Sequence, residues 1–259
     1  MSVLYDEQEE RKYLFVKKLQ CTNCGNDIQD VRVMNSKLRR KEPDNDLRPR
    51  FQHIDSLKYG VTMCPQCGYA ALSKNFESLN RIHQKRLREK ITSNFMPRTP
   101  LDVQSNPVIS YETAVGQYEL AILCAMTMEL AISEQSYLCL QTAWLLRGWL
   151  EEAQADPKSF APETLQQIRA KEERYYRQAY DGLLQAAAKE DFPICGLDSS
   201  TYDYLMAVMS VRFKEYDTAL KCCGNVVQAR GISAKLKDKA LTLKDEINAA
   251  KKADEEAAE

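Results

Sequence analysis

The spacing of apolar residues changes near residue 110. Before that point the chain contains short alternations of apolar and polar positions, such as Tyr59, Val61 and Met63, which predict β-strands. After it, apolar residues recur every three or four positions, which is the period of an α-helix. The sequence therefore predicts a mainly α protein with a small β module at its N-terminus.

The N-terminal part is predicted to contain three extended segments and two helices. A short polar helix is expected at residues 5–12, and the extended segments are 13–19, 28–34 and 59–63. A second helix is predicted over residues 73–94. Its apolar positions at near-helical spacing are Phe76, Leu79, Ile82, Leu87 and Ile91.

A charged segment, residues 37–50, lies between the second and third extended segments and contains Pro43 and Pro49. We interpret it as a solvated, exposed loop, because runs of charge commonly serve only to solvate a surface. The alternative is an arm that contacts anions or nucleic acid. Asp44 and Asp46 interrupt its basic residues and count against phosphate binding.

Residues 95–110 contain three prolines and predict a linker. The predicted organisation is a β module with a trailing helix at residues 1–94, this linker, and a helical domain at residues 111–252. Six helices are expected in the helical domain. They are separated between Ala125 and about Glu134, at Asp156-Pro157, near Pro193, at residues 214–216 and at Gly231.

The fourth and fifth of these helices resemble a tetratricopeptide hairpin. Tyr216, Ala219 and Cys223 have the spacing of that repeat, and Ala207 occupies the small position where paired helices touch. The tryptophan and proline of the repeat are absent. Such hairpins stack into a concave surface that binds peptides or proteins. A closed helical bundle without a ligand fits the same pattern equally well.

Two Cys-x-x-Cys-Gly motifs, Cys21–Gly25 and Cys64–Gly68, are the clearest chemical signal in the sequence. Zn²⁺ is held by four thiolates in a tetrahedron, and glycine after the second cysteine permits the positive φ of a tight turn. Cys21, Cys24, Cys64 and Cys67 are therefore predicted to bind one Zn²⁺. A rubredoxin-like iron centre is the alternative, because the same ligand set suits iron.

Four protein ligands leave no open coordination position, so the predicted zinc site is structural rather than catalytic. The remaining five of the nine cysteines lack ligand spacing and are interpreted as packing residues. They are Cys124, Cys139, Cys195, Cys222 and Cys223. The two histidines, His53 and His83, are expected at the surface.

Charge is unevenly distributed along the chain, whose net charge is −1. Residues 1–110 carry 19 Lys and Arg against 13 Asp and Glu, whereas the rest carries 17 against 24. Nucleic-acid binding by the basic part is therefore an alternative hypothesis. Its candidate residues lie in the predicted second helix. They are Arg81, Lys85, Arg86, Arg88 and Lys90.

No catalytic motif or small-molecule site emerges, and a non-enzymatic protein is favoured. The first ten residues are acidic and polar rather than a signal peptide, and no apolar run approaches the length of a membrane span. The expected location is a reducing cytoplasm, where thiols remain available for metal.

Several segments resemble the uncharacterised bacterial proteins grouped as domain of unknown function 2225. The resemblance rests on the first cysteine motif, Asp46-Leu-Arg48, Tyr59–Ala70 and Ala143–Arg147, and it extends to about residue 227. It implies a cytoplasmic protein with a zinc-ribbon-like start and tetratricopeptide-like helices, and no established activity. The resulting hypothesis is a scaffold that binds a protein or peptide partner through the helical domain.

Overall fold

The computed structural model describes residues 5–258. This part of the chain forms four strands: β1 (Leu14–Gln20), β2 (Asp27–Val33), β3 (Val61–Met63) and β4 (Ala70–Leu72). It also forms eight α-helices. These are α1 (Glu7–Arg11), α2 (Arg81–Lys90), α3 (Tyr111–Met128), α4 (Ile132–Ala155), α5 (Pro162–Ala187), α6 (Ser199–Arg212), α7 (Tyr216–Gln228) and α8 (Ala234–Ala258). The predicted fold class, mainly helical with a small β module near the N-terminus, is confirmed.

The contacts within the chain divide it into two compact units. The first unit comprises the described residues up to Glu42 together with Pro49–Ala179, and the second comprises Pro43–Arg48 and the described residues from Tyr180 onward. The stretch 95–110 lies inside the first unit, between α2 and α3. The proposal that residues 1–94 and 111–252 form separate domains remains a prediction.

Two antiparallel hairpins form the β module of the first unit. β1 pairs with β2 from Leu14 opposite Val33 to Gln20 opposite Asp27, and β3 pairs with the three residues of β4. The sequence analysis missed β4. Its Ala-Ala-Leu sequence carries little strand preference, and it is extended because the turn after β3 folds it back onto that strand.

The helix predicted over residues 73–94 is shorter than expected, because α2 begins only at Arg81. The side chain of Asn80 accepts a hydrogen bond from the backbone N–H of His83 at 2.8 Å, which caps the helix. Phe76, assigned to this helix, is instead fully buried against Tyr69 in the β module, with 4.7 Å between ring centroids. Ile82 is exposed and lies outside the buried stripe.

Helices α3 and α4 form an antiparallel hairpin in the first unit. Ser110 caps α3 by accepting a hydrogen bond from Thr113 N–H, and Glu129 ends it in the left-handed conformation. The predicted apolar stripe of α3 is buried throughout, as expected. Its residues are Tyr111, Ala114, Val115, Tyr118, Ala121, Ile122 and Ala125. This stripe supports the β module.

In the second unit, α6, α7 and α8 enclose a common core. Ala207, Ala219 and Cys223 are completely buried there, so the small residues noted in the sequence lie where the helices touch. Lys214, with φ of 59°, forms the tight turn between α6 and α7. The carboxylate of Asp198 caps α6 by accepting a hydrogen bond from Thr201 N–H, which confirms the predicted start of that helix.

The interpretation of residues 37–50 as a solvated loop is wrong for its second half. Asp46 and Arg48 are buried, with exposed fractions of 4% and 1%. Leu47 packs against the core of α6–α8. Leu47, an apolar residue in a charged segment, thus packs into a hydrophobic core, and the adjacent Asp46 and Arg48 are buried together with it.

The longest helices are α4, α5 and α8, with 24, 26 and 25 residues. Their sequences contain both charged and apolar residues, as expected for helices with one face packed against the protein and one face exposed to solvent. None of the helices within residues 5–258 has both the length and the apolar composition needed to cross a membrane.

Candidate metal centre

The first cysteine turn closes the hairpin of β1 and β2. The N–H of Gly25 donates to the carbonyl of Cys21 at 2.8 Å, and the N–H of Cys21 donates to the carbonyl of Asn26 at 2.9 Å. Gly25 has φ of +81°, which a residue with a Cβ adopts only with strain. The turn places the side chains of Cys21 and Cys24 on the same side of the hairpin.

The second cysteine turn repeats the first one bond for bond, between β3 and β4. The N–H of Gly68 donates to the carbonyl of Cys64 at 3.0 Å, and the N–H of Cys64 donates to the carbonyl of Tyr69 at 2.8 Å. Gly68 has φ of +74°. The shared sequence Cys-x-x-Cys-Gly thus produces one backbone structure twice.

The two turns face each other and bring four sulfur atoms together. The Sγ atoms of Cys21 and Cys67 are 3.7 Å apart, and those of Cys24 and Cys64 are 3.6 Å apart. All four Sγ atoms lie within 4.8 Å of one another. A disulfide needs about 2.05 Å, whereas a regular tetrahedron with bonds of about 2.3 Å has edges of about 3.8 Å. The four cysteines therefore form a group that could hold a metal ion.

Two asparagine side chains donate hydrogen bonds to this sulfur cluster. The amide of Asn23, which is buried, lies 3.3 Å from Cys67 Sγ, and the amide of Asn26 lies 3.2 Å from Cys24 Sγ. Such N–H donors stabilise negative charge on sulfur and fix the direction of its lone pairs. Sequence analysis missed both residues, although both lie within two positions of Cys24 in the sequence.

Helix α2 braces the first turn through polar contacts with its backbone. Gln84 donates to the carbonyl of Thr22 at 2.8 Å, and the guanidinium of Arg88 donates to the carbonyl of Asn23 at 2.7 Å. Just beyond α2, Thr92 donates to the carbonyl of Cys67 at 3.2 Å in the other turn. This segment therefore holds both halves of the sulfur cluster.

The second turn is enclosed by apolar packing. A Cβ atom added to Gly68 would lie 2.5 Å from the ring of Phe95, so this ring packs directly against the glycine. The thiol of Cys124 on α3 donates to the Gly68 carbonyl at 3.5 Å. Cys124 was interpreted as a packing residue, and the structure adds this contact with the metal centre. Burial raises its pKa to about 12.

Hydrogen bonding within the cluster distributes the protons unequally. Hydrogen bonds with Cys21 and Cys64 lower the pKa of Cys67 well below the ordinary value of a thiol. The bond with Cys64, reinforced by the one with Cys67, raises the pKa of Cys21. Four thiolates crowded together repel one another, and a divalent cation is the natural means of stabilising all four.

Several residues of the basic helix have structural partners. Arg86 donates to the carbonyl of Met128 at 2.8 Å and pairs with Glu129, and so satisfies the end of α3. Arg88 holds the first cysteine turn, as described above. Lys85 lies 3.9 Å from Glu89 on the same helix, and Arg81 and Lys90 are exposed. The charge available to an outside ligand is thus smaller than the sequence suggests.

The two histidines differ in exposure. His83, in α2, is half-buried. His53 is exposed and stacks on Tyr13, with ring centroids 5.8 Å apart. Within residues 5–258, the four cysteines are the one group of three or more cysteine, histidine or carboxylate side chains placed to share an ion. The expected surface position is confirmed for His53, whereas His83 is less exposed than expected.

A protein-family model matches residues 14–247 of this chain, which include all four cysteines of the cluster. Comparisons with curated proteins and with solved structures gave no match. The family match covers the β module and nearly all of the helices. The chain therefore belongs to the family described as "Uncharacterized protein conserved in bacteria (DUF2225)".

Proposed function

We propose that Cys21, Cys24, Cys64 and Cys67 hold one structural Zn²⁺, and that the protein is a non-enzymatic scaffold for protein interactions. The observation that carries the first part is the spacing of the four sulfur atoms, which fits the edges of a zinc–thiolate tetrahedron. Four sulfur ligands leave no position for water or substrate. The ion would therefore join the two hairpins without performing chemistry.

Elemental analysis of the protein purified without added metal tests the zinc assignment. We expect one zinc per chain and a colourless solution. One iron per chain and a red solution would support the rubredoxin-like alternative, because thiolate-bound iron absorbs visible light. A chain without any metal, or with its cysteines oxidised in pairs, would overturn the proposal.

The interaction role rests on the helices. The buried small residues of α6–α8 suit a tetratricopeptide-like hairpin, and repeats of this kind present binding surfaces. In the first unit, α3 exposes Leu123 and Met126 one turn apart, with exposed fractions of 50% and 57%. Neighbouring exposed apolar side chains are typical of protein-binding surfaces. The free thiols of all nine cysteines suit a reducing cytoplasm.

Affinity capture with the full-length chain tests the interaction role. We expect a partner retained by the wild type to be lost from a Leu123→Ser/Met126→Ser variant and kept by Leu241→Ser, whose parent side chain is similarly exposed in α8. Equal retention by the double variant would exclude this part of α3. Retention of no protein by the wild type would contradict the scaffold role.

Nucleic-acid binding through α2 is the second candidate. The exposed positions of Arg81, Lys85 and Lys90 favour it, while the structural engagement of Arg86 and Arg88 weakens it. Phosphate contacts predict affinity that falls steeply with salt. A triple Arg81→Gln/Lys85→Gln/Lys90→Gln variant should then lose retention on DNA or RNA. Absence of wild-type retention at low salt would exclude this function.

A further inference from the structure

The first unit contains a cavity of about 640 Å³ beside the metal centre. Strands β2 and β3 and the proline-containing segment 98–104 line it, together with the start of α3. Its volume lies within the range of sites that bind organic ligands. Its lining is unusual in that five consecutive residues of β2, Asp27–Val31, contribute to it, as happens when a strand presents its edge.

The hydrogen bonds of the β1–β2 ladder show which groups of β2 form that edge. At one end of the ladder the N–H of Cys21 donates to the carbonyl of Asn26, and at the other end the N–H of Met34 donates to the carbonyl of Tyr13 at 2.7 Å. Both of the residues on the β2 side, Asn26 and Met34, are even-numbered. Bonded and non-bonded pairs alternate along antiparallel strands. The even-numbered residues of β2 therefore bond to β1, and the odd-numbered ones direct their N–H and C=O groups away from it.

Gln29 and Val31 are two of the three odd-numbered β2 residues that line the cavity, the third being Asp27. In the described part of the chain, β2 pairs with β1 only, and neither residue makes a backbone hydrogen bond outside that pair. Gln29 does accept a side-chain bond from Gln104, of 3.1 Å, on the opposite wall. Two backbone donors and two backbone acceptors thus face the cavity without a hydrogen-bond partner among residues 5–258.

Strand β3 presents a second free edge to the same cavity. The N–H of Ser73 donates to the carbonyl of Gly60 at 2.9 Å, and the N–H of Cys64 donates to the carbonyl of Tyr69 at 2.8 Å, just before and just after β3. Because bonded and non-bonded residues alternate along the strand, Thr62 is the residue of β3 that bonds to β4. Val61 and Met63 direct their backbone groups away from β4, and both line the cavity. The free edges of β2 and β3 therefore border the same cavity.

The charge around the cavity selects among extended guests. Asp27, Asp102 and Glu112 are exposed lining residues, and Arg98 is the one cation among the lining residues that the structure describes. Asp30 is buried and bonded to Thr62 and Arg32, so it belongs to the framework. Three carboxylates against one guanidinium attract a guest that carries Lys or Arg.

From these observations we infer that the cavity binds an extended basic peptide segment of a partner protein, which adds to β2 as a further strand. The edge from Asp27 to Val31 spans four steps of about 3.3 Å each, so about five peptide residues would be seated. Backbone bonds to Gln29 and Val31 would supply affinity, and the carboxylates would select basic side chains. This site is separate from the proposed helical surface and from the zinc ion.

Amide hydrogen exchange and NMR on the isotope-labelled, metal-loaded chain test this inference. The probe is a library of capped hexapeptides with Lys at alternate positions. The best-binding pool should slow exchange of the Gln29 and Val31 amides at least about tenfold, whereas Ile28 and Asp30, already in the ladder, should change little. If no pool at millimolar concentration affects the amides of Gln29 and Val31, the inference is wrong.

Alternate N-methylation of the best peptide separates strand addition from simple charge attraction. Because one edge of a guest strand uses the N–H groups of alternate residues, methylation in one register should abolish binding and methylation in the other should preserve it. Equal binding by both methylated peptides would overturn the proposal. Failure of the whole test would leave the zinc assignment untouched, since metal content is measured independently.

Neutral variants test the charge preference without changing side-chain size. Asp27→Asn and Glu112→Gln should each weaken binding of the basic peptide about threefold at low salt. Glu134→Gln, an exposed residue of α4 outside the cavity, is the matched control and should have no effect. Tighter binding of a Glu-containing peptide than of the Lys-containing one would contradict the proposed chemistry of the guest.

Discussion

The two cysteine turns have the same backbone but different surroundings. The first closes a hairpin whose strands have seven residues each, and a Cβ at Gly25 would meet no atom within 4 Å. The second closes strands of three residues, and Gly68 is packed against Phe95. The first turn is therefore held mainly by its own hairpin, and the second by the tertiary structure around it.

This comparison shows what a local motif determines and what it leaves to the rest of the chain. Five residues of matching sequence suffice to form the turn, its positive φ and its pair of sulfur atoms. The position of one turn relative to the other depends on contacts from distant residues, including Arg88, Thr92 and Cys124. Both turns are needed, because each supplies only two ligands.

Loss of one ligand is expected to have the largest effect on both turns. Cys67→Ser should abolish stoichiometric metal binding, because structural zinc contributes about 10–16 kcal/mol of binding free energy in small metal-dependent domains. The free energy of unfolding of the first unit should decrease by part of that amount. The measurement is metal content together with thermal unfolding. Cys195→Ser, which changes a half-buried thiol outside the cluster, should retain the metal. Loss of the metal from the Cys195→Ser variant would contradict the assignment of the four ligands.

A buried ion pair connects the segments that lead into the two hairpins. Lys58 Nζ lies 2.8 Å from Glu10, and both side chains are at most 5% exposed. Lys58→Met should destabilise the protein by about 3–5 kcal/mol, because Glu10 would be left as an unpaired buried carboxylate. Chemical denaturation measures this loss. The double variant Glu10→Leu/Lys58→Met should recover much of it, and a double variant as unstable as the single one would argue against this explanation.

The glycines distinguish the two turns directly. Gly68→Ala should cost about 2–4 kcal/mol, since left-handed strain adds to overpacking against Phe95. Gly25→Ala should cost only the strain, about 1–2 kcal/mol. The free energies of unfolding of the two variants test this difference. Equal costs would mean that the two turns are held in the same way after all.

The asparagines that donate to sulfur predict a smaller difference, in metal affinity. Asn23→Ala should weaken metal binding by about 10- to 100-fold. The buried Asn23 amide donates to Cys67 Sγ and is held in place by a second hydrogen bond to the hydroxyl of Thr92. Asn26→Ala should weaken it less, since water can replace this exposed amide. Competition with a chromogenic chelator gives both affinities. A larger effect at Asn26 would reverse the proposed order.

A pH effect at Glu10 is expected to be the smallest. Burial raises the pKa of Glu10 above its ordinary value of 4.5, although Lys58 and Tyr59 oppose this shift. The folded state then holds the proton more tightly than the unfolded state does. The stability of the wild type relative to Glu10→Gln should therefore fall as pH rises above 4.5 and become constant above the folded pKa. A relative stability that rises over this range would contradict the shift.

Features encoded by short local patterns could be predicted from the sequence. The conformation of each cysteine turn, the positive φ of both glycines, the stripe of α3 and the cap of α6 all belong to this class. The turn motif needs no information from beyond its own five residues, and a helical stripe needs only a few turns of chain. These predictions are confirmed because local geometry alone determines them.

Features that arise from tertiary contacts could not be predicted. Leu47 is a single apolar residue in a charged segment, and nothing local indicates that it enters a core with Arg48 beside it. Phe76 continues the helical spacing of α2, yet the stacking on Tyr69 overrides that pattern. The free edges of β2 and β3 could not be recognised either, because they depend on the register of both hairpins.

X-ray absorption at the zinc edge of the natively purified protein tests the central claim most directly. The claim predicts one zinc per chain with four sulfur neighbours at about 2.3 Å and no oxygen or nitrogen in the first coordination shell. A shell with fewer than four sulfur atoms, or one completed by an exchangeable oxygen ligand, would contradict a closed structural site formed by Cys21, Cys24, Cys64 and Cys67.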